Sequence, residues 1–239
     1  MRLKIEVDKI KEVMKPLNLF INEVDLWVSN DRVSIVEYDY SDIILTELEI
    51  KKEEFIVYEV KENKKIRLNL DILNDIIKDN KGVVEFSLNE KETKLYLSFD
   101  NGLCSEIPLI ERERDKKKKP NLEQYNYEVM VNSNKIKNSL IHFKRNYENI
   151  SFRVVSNKFY LVGVNDLSNS KQEFKKAKIT EIRNREVVNS KFDIDYIEKI
   201  FRYPTSKEVE ISIGNDFPIE VIFKKGYITL SYVVAPRIE

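Results

Sequence analysis

"RLNLDILNDIIKD" at residues 67–79 and "KFDIDYIEKIFRY" at 191–203 agree in kind position by position. Both read cation, apolar, polar, apolar, Asp, two apolar, two polar, two apolar, cation. The two stretches lie 124 residues apart (191 less 67), a little over half of the 239-residue chain. Each predicts a short amphipathic helix entered from a strand. Apolar periodicity alone is common, so the neighbouring segments decide what the pair means. "DKIK" at 8–11 answers to "NKIK" at 134–137, "VSIVEYD" at 33–39 to "FYLVGVN" at 159–165, and "VEFSL" at 84–88 to "VEISI" at 209–213. The matches keep one order, and their offsets agree within two residues. The chain is a tandem duplication.

Each copy has the same grammar. Asp8 and Asn134 are the expected N-caps. A helix follows, with Ile10, Val13, Met14 and Leu17 on one stripe, or Ile136, Leu140, Phe143 and Tyr147 in the second copy. Pro16 sits inside the first of these patterns and is expected to kink or shorten that helix. Alternating strands come next: "LWVSNDRVSIVEYD" and "IILTELEI", then "ISFRVVSNKFYLVGV" and "FKKAKITEI" in the second copy. The quoted helix follows them, and three more strands close each half. The expected fold is α+β: two tandem similar domains, each an antiparallel sheet with two helices on one face. Domain one covers 1–110 and domain two 126–239. The polar, Pro-punctuated segment at 111–125 reads as an exposed connection.

Composition narrows the function. The chain is 42% hydrophobic and 34% charged, with 41 basic against 41 acidic residues, so no bulk pull toward nucleic acid or membrane exists. Any nucleic-acid site must come from charge distribution. One cysteine, Cys104, suits a reducing compartment. No apolar run approaches membrane-spanning length, which points to a cytoplasmic protein, or a nuclear one if eukaryotic. The single histidine, His142, lies in a helical pattern without a nucleophile motif nearby. Five glycines offer no phosphate-cradling loop, and no cofactor or metal site is expected. A binding protein is expected rather than an enzyme.

The C-terminal "LSYVVAPRIE" and the segment "VSIVEYDYSDIILTELEI" with its Asp39 resemble the archaeal and eukaryotic DNA sliding clamps, the proliferating cell nuclear antigen family. "INEV" at 21–24, "IPLIE" at 107–111 and "NDFPIEVIF" at 215–223 match in order and spacing. The resemblance runs end to end. It implies a DNA clamp fold, three copies closed into a ring of six similar domains, and helices lining a hole that holds double-stranded DNA without reading its sequence. Such a ring tethers a DNA polymerase, and serves a clamp loader, nuclease and ligase through short peptide motifs. The ring is a homotrimer or a heterotrimer with related clamp subunits; the rival reading is a two-domain recruitment adaptor that never encircles DNA.

Three sets of residues follow from that resemblance and from the helical wheel. DNA contact falls to Lys15, Lys78, Arg145 and Arg202, flanked by Lys11, Lys137, Lys144 and Lys199, with Glu12, Asp71, Asp75 and Asp195 on the same faces. The partner pocket is Tyr38, Tyr40, Leu45, Pro120, Leu122, Pro218, Val233, Val234, Ala235 and Pro236, with Asp42 as an acidic rim. The subunit joint lies between an edge near Leu103, Ile107 and Ile110 and a second edge from Ser170 to Ile179 that includes Phe174 and Ala177.

Overall fold

A computed structural model describes residues 1–111, 119–183 and 185–238. In the first copy the chain runs β1 (Arg2–Glu6), α1 (Val7–Leu17), β2 (Glu23–Val28), β3 (Arg32–Tyr38), β4 (Ile44–Lys51) and β5 (Val57–Glu59). It continues with β6 (Lys64–Asn69), α2 (Leu70–Ile77), β7 (Val83–Leu88), β8 (Lys94–Phe99) and β9 (Cys104–Pro108). The second copy repeats this series: β10 (Tyr127–Asn132), α3 (Ser133–Phe143), β11 (Asn149–Val155), β12 (Lys158–Val164), β13 (Asn169–Glu173) and β14 (Lys178–Glu181). After these come β15 (Val187–Asp193), α4 (Ile194–Arg202), β16 (Glu208–Ile213), β17 (Ile219–Lys225) and β18 (Ile228–Val234).

The duplication reaches the strand order. In the first copy the strands lie β5-β1-β7-β8-β9 and β4-β3-β2-β6; in the second they lie β14-β10-β16-β17-β18 and β13-β12-β11-β15. Each order becomes the other when the labels shift by one copy. Individual bonds repeat too. Val7 N–H donates to the Gly82 carbonyl (2.9 Å) as Ser133 N–H does to Lys207 (3.0 Å), each where a strand turns into a helix. Ile110 N–H donates to the Arg67 carbonyl (2.8 Å) as Arg237 N–H does to Lys191 (2.7 Å). Each copy thus contributes antiparallel strands and two helices, the α+β build expected of it.

By contact the chain divides into Met1–Tyr40, Thr46–Lys117 and Lys225–Leu230 as one unit, and Ser41–Leu45, Lys118–Lys224 and Ser231–Glu239 as the other. Of the expected connection at 111–125, residues 112–118 lie outside the described residues. Its last residue, Tyr125, is buried in the second unit and stacks edge-on against Phe217 at 5.5 Å, so the exposed segment ends before it.

Several local expectations need correction. The helices start one or two residues before the expected caps, because the strand ahead runs straight into them. Asp8 lies in the first turn of α1, whose N-cap Glu6 makes no side-chain cap bond. Asn132, not Asn134, caps α3 by accepting from Lys135 N–H. Pro16 does not shorten α1: it sits in the last turn, and α1 and α3 are both 11 residues long. "FKKAKITEI" is not one strand. Ala177 N–H turns back to the Phe174 carbonyl, and β13 and β14 belong to different sheets.

Candidate functional site

In the first unit α1 packs on α2, and in the second α3 packs on α4. Each pair buries its apolar stripe and turns the rest outward. The N-caps Asn69 and Asp193 are repeat-equivalent; each accepts a backbone N–H from the first turn, fixing where α2 and α4 begin.

The eight expected cations meet different surroundings. Lys11 donates to the Asn80 carbonyl beyond α2, and Lys137 donates to the Arg202 carbonyl at the end of α4 (2.7 Å). The same lysine in both copies thus serves the free carbonyls at the neighbouring helix terminus. Lys78 is the C-cap of α2 and pairs with Asp75 at 2.7 Å. Lys199 lies 5.9 Å from the Tyr196 ring. Lys144 pairs with Asp195 (2.7 Å) and Glu198 (3.1 Å), while Arg202 makes a two-pronged contact with Glu198 (3.1 and 2.6 Å). The Arg202 guanidinium, helped by Lys144, holds the Glu198 carboxyl below the usual carboxylate range although burial opposes it. Lys15 and Arg145 are exposed and make no ion pair among the described residues. Arg145 lies past the C-cap of α3 rather than on the helix, because α3 stops at Phe143.

The helix faces differ in sign. α3 with its cap Lys144 carries Lys135, Lys137 and Lys144 and no acid, whereas α2 carries Asp71 and Asp75 against Lys78 alone. Glu12 of α1 is occupied by Lys225 at 2.7 Å.

The expected pocket residues split between the units. Tyr38 and Tyr40 belong to the first, and Tyr40 is 97% exposed at a loop tip. In the second, Leu45, Val233 and Val234 are fully buried core residues, while Pro120, Leu122, Pro218 and Pro236 are half-buried and Ala235 is exposed. The accessible apolar groups there are three prolines, Leu122 and the half-buried Phe217 beside Pro218. Phe217 was missed by sequence reasoning, although its place before Pro218 was a signal. Asp42 holds a left-handed backbone (φ 59°), and Asp39 is buried.

The expected joint residues differ in burial. Ile107 is fully buried, and Phe174 is buried with its ring 5.5 Å from Phe159. Both fill the cores of their own units, so neither is a free edge side chain. Leu103 is 45% exposed, and Ile110, Ala177 and Ile179 are half-buried. The exposed residues of the two strands are Cys104, Glu106 and Pro108 on β9 and Asn169, Lys171 and Gln172 on β13. Among the described residues no group of His, Cys, Asp and Glu side chains is gathered to hold a metal ion.

No family model matches the chain. Its sequence is 26% identical over 243 residues to the DNA polymerase sliding clamp of Methanococcoides burtonii, covering 98% of this chain and 97% of that protein. The Methanothermobacter thermautotrophicus sliding clamp is 25% identical, with 93% and 91% covered. The fold superposes on the PCNA of Thermococcus kodakaraensis with a TM-score of 0.90 at 18% identity, covering 99% of each chain. The A. fulgidus PCNA with the C-terminal region of FEN-1 bound gives 0.88 at 21% identity, covering 100% of this chain and 98% of that one. The PCNA2–PCNA3 complex of Sulfolobus tokodaii gives 0.86 at 21%, with 100% of each chain covered.

The chain is similar from end to end to the DNA polymerase sliding clamps of archaea.

That likeness gives the duplication its context, because end-to-end coverage of sliding clamps means both copies, not one module, are shared with them. The topology is that of the family, while the loose cations number only Lys15 and Arg145 among the eight expected.

Proposed function

We propose that this clamp works as a closed ring of three copies that surrounds duplex DNA, acts as a processivity factor, and carries replication and repair proteins along it without catalysing a reaction itself. The observation that supports this reading most is the repetition of strand order, which leaves β9 at the end of one sheet and β13 at the end of another. Head-to-tail joining of such edges propagates a rotation and closes if the rotation divides a full turn. Unpaired edges otherwise invite uncontrolled association.

With helices facing DNA, phosphate contact needs no base readout, so binding is weak, sequence-independent and salt-sensitive. Residence then comes from topology. Lys15 and Arg145 are the readiest contacts, with Lys78, Lys144, Lys199 and Arg202 available after partner exchange and Lys11 and Lys137 held to backbone. Clients would dock by short apolar peptide segments near Pro120, Leu122, Pro218, Ala235 and Pro236; the A. fulgidus PCNA has the C-terminal region of FEN-1 bound. Leu45, Val233 and Val234 would form the buried floor, and Tyr38 and Tyr40 the remaining wall.

The test is topological. Loaded onto nicked circular DNA, the clamp should co-migrate with it through gel filtration and be lost after a single linearising cut. Equal retention on circular and linear DNA would rule out encirclement and leave an adaptor.

A further inference from the structure

Inside the first unit lies an apolar cavity of about 70 Å³. It is lined from β2, β3, β4 and β6, from β1, β7 and β8, and from α1 and α2. Both groups of strands hold antiparallel registers, so the backbone cannot close on the space without breaking ladder bonds. The second copy shows what is missing. Leu26, Val33 and Leu68 stand where it has Phe152, Phe159 and Phe192, at matching places in the two registers. Those three rings are fully buried, with Phe152 lying 6.0 Å from Phe159 and 5.8 Å from Phe192. Ring atoms occupy in one copy the space that the other leaves open.

Size and lining decide what can enter. The volume is about twice the ~30 Å³ that one water takes in the liquid. A buried water, however, needs about two to four polar partners, and the lining is wholly apolar, so the cavity stays dry. A charged or hydrogen-bonding guest would leave its own polar groups unpaired there, which is costly. An apolar guest has no such groups, and it restores dispersion contacts to side chains that face empty space. An apolar cavity of about 150 Å³ takes benzene, so half that volume admits only a smaller guest.

We propose that the first unit carries a binding site for one small uncharged apolar molecule, the size of xenon or of a hydrocarbon of about two or three carbons, and that the second unit carries none. The site is independent of the ring and stands whether or not copies of the chain assemble. Its way in lies at Met1 and Phe55, which with Leu26 are the half-buried members of the lining. Phe55 stands between a single 3-10 turn (Lys52–Glu54) and the three-residue β5, its ring edge-on to Tyr58 at 5.0 Å. So short a segment, with exposed residues on both sides of Phe55, opens at less cost than the long strands beneath it. A guest held only by the folded unit adds to that unit's stability by mass action. Occupation therefore tightens one copy and leaves the other unchanged.

Xenon is the probe, and the duplicated chain supplies its own control. In the methyl-labelled 239-residue chain, rising xenon pressure should shift the methyl resonances of Leu26, Val33 and Leu68 along saturating curves with one midpoint. The methyls of Val154 and Leu161, buried at the matching strands of the second unit, should show no saturating shift. Calorimetry under the same pressure should raise the unfolding transition of the first unit alone. Val33→Phe and Leu26→Phe each place a ring where the second copy carries one, and each should abolish the saturating shifts of the remaining lining methyls. Benzene should produce no saturation in the wild type; saturation by benzene would overturn the size limit. Absence of saturation in the first unit, or the same response in both units, would overturn the site, and neither result depends on a variant that folds. Saturating shifts that persist unchanged in a folded ring variant would overturn it too, because the guest would then lie elsewhere.

Discussion

The cores of the two units occupy the same positions with side chains of different size. Leu26 pairs with Ile35, Val28 with Val33, and Val24 with Leu68; in the second unit the corresponding pairs are Phe152 with Leu161, Val154 with Phe159, and Ile150 with Phe192. Three phenyl rings thus stand where the first unit has Leu26, Val33 and Leu68. In the second unit Phe152 lies 6.0 Å from Phe159 and 5.8 Å from Phe192, all fully buried. In the first unit the same place is a wholly apolar cavity of about 70 Å³, lined by Leu26, Val33, Leu68 and their neighbours. Strand order and register are identical all the same. Topology here is set by the alternation of apolar and polar residues and by repeated backbone bonds; side-chain volume only decides how well the space is filled.

A second difference concerns buried charge. Arg67 is 8% exposed and contacts Asp25 (2.9 Å) and Glu37 (3.7 Å), both buried, with Glu23 at 3.3 Å. The equivalent positions are Lys191, Ser151 and Gly163. Gly163 has no room for a side chain, since a Cβ there would meet the Tyr147 ring at 2.5 Å. The first unit thus places a carboxylate where the second admits a tyrosine ring from beyond α3. Removing Arg67 takes the guanidinium from two buried carboxylates, of which Asp25 keeps Lys65 at 3.0 Å. Arg67→Met should cost the first unit about 3–5 kcal/mol. Urea unfolding followed by hydrogen exchange should show protection lost from β2, β3 and β6 before β11, β12 and β15. A uniform loss across both units would mean that they do not unfold separately.

The cavity offers the next largest effect, with opposite sign. Cavity volume is worth about 24 cal/mol per Å³, so complete filling would add at most about 1.7 kcal/mol. Val33→Ile should recover part of that and raise the melting temperature of the first unit. The same step in the packed unit, Val154→Ile, should cost about 1–3 kcal/mol by overpacking. Calorimetry of the two variants compares them directly. If both destabilise, the empty volume is not usable space.

A smaller effect separates the first helices. Glu6 caps α1 without a side-chain bond, whereas Asn132 at the equivalent place accepts from Lys135 N–H at 3.1 Å. Glu6→Asn should stabilise the first unit by about 0.5–1 kcal/mol, read as a shift in the denaturant midpoint with unchanged slope. No shift would show that the strand-to-helix bond of Val7 already satisfies that terminus.

Much of this was legible in the sequence. The duplication, the four helices, the closing strands and the apolar stripes all appear as periodicity, because a packed face imposes spacing that survives substitution. The short strand β5 does not, since three residues carry no pattern. The break between β13 and β14 was hidden because Phe174 continues the apolar alternation through the turn that separates them. The site was less legible. A helical wheel finds which side a cation is on, but it cannot show that Glu198 holds Lys144 and Arg202, nor that Lys11 and Lys137 point at carbonyls. It equally hides that Ile107 belongs to a core, because an edge strand of alternating residues looks the same from either side.

The last contrast lies on the helix faces and has the smallest energy. Charges on α4 are tied through Glu198, while α3 keeps an uninterrupted basic face. The Glu198 carboxyl sits below its ordinary value of 4.5 in the folded chain because Arg202 and Lys144 surround it. A depressed carboxylate contributes stability that is present above its unfolded value and lost as pH falls through the folded one. Glu198→Gln should therefore cost the second unit a modest amount at neutral pH and flatten its stability loss below about pH 4.5, leaving the first unit's acid limb unchanged. The same substitution releases Arg202 toward phosphate and leaves Lys144 held by Asp195 alone, at 2.7 Å. Each extra phosphate contact steepens the dependence of log K on log salt by about 0.9. DNA binding by Glu198→Gln at neutral pH should thus show a slope steeper by about one, with tighter binding at low salt. Asp75→Asn, releasing only the exposed Lys78, should change that slope by no more than about one. Identical slopes for wild type and Glu198→Gln would mean that the α4 cations do not meet phosphate, and that contact falls to Lys15, Arg145 and the basic face of α3.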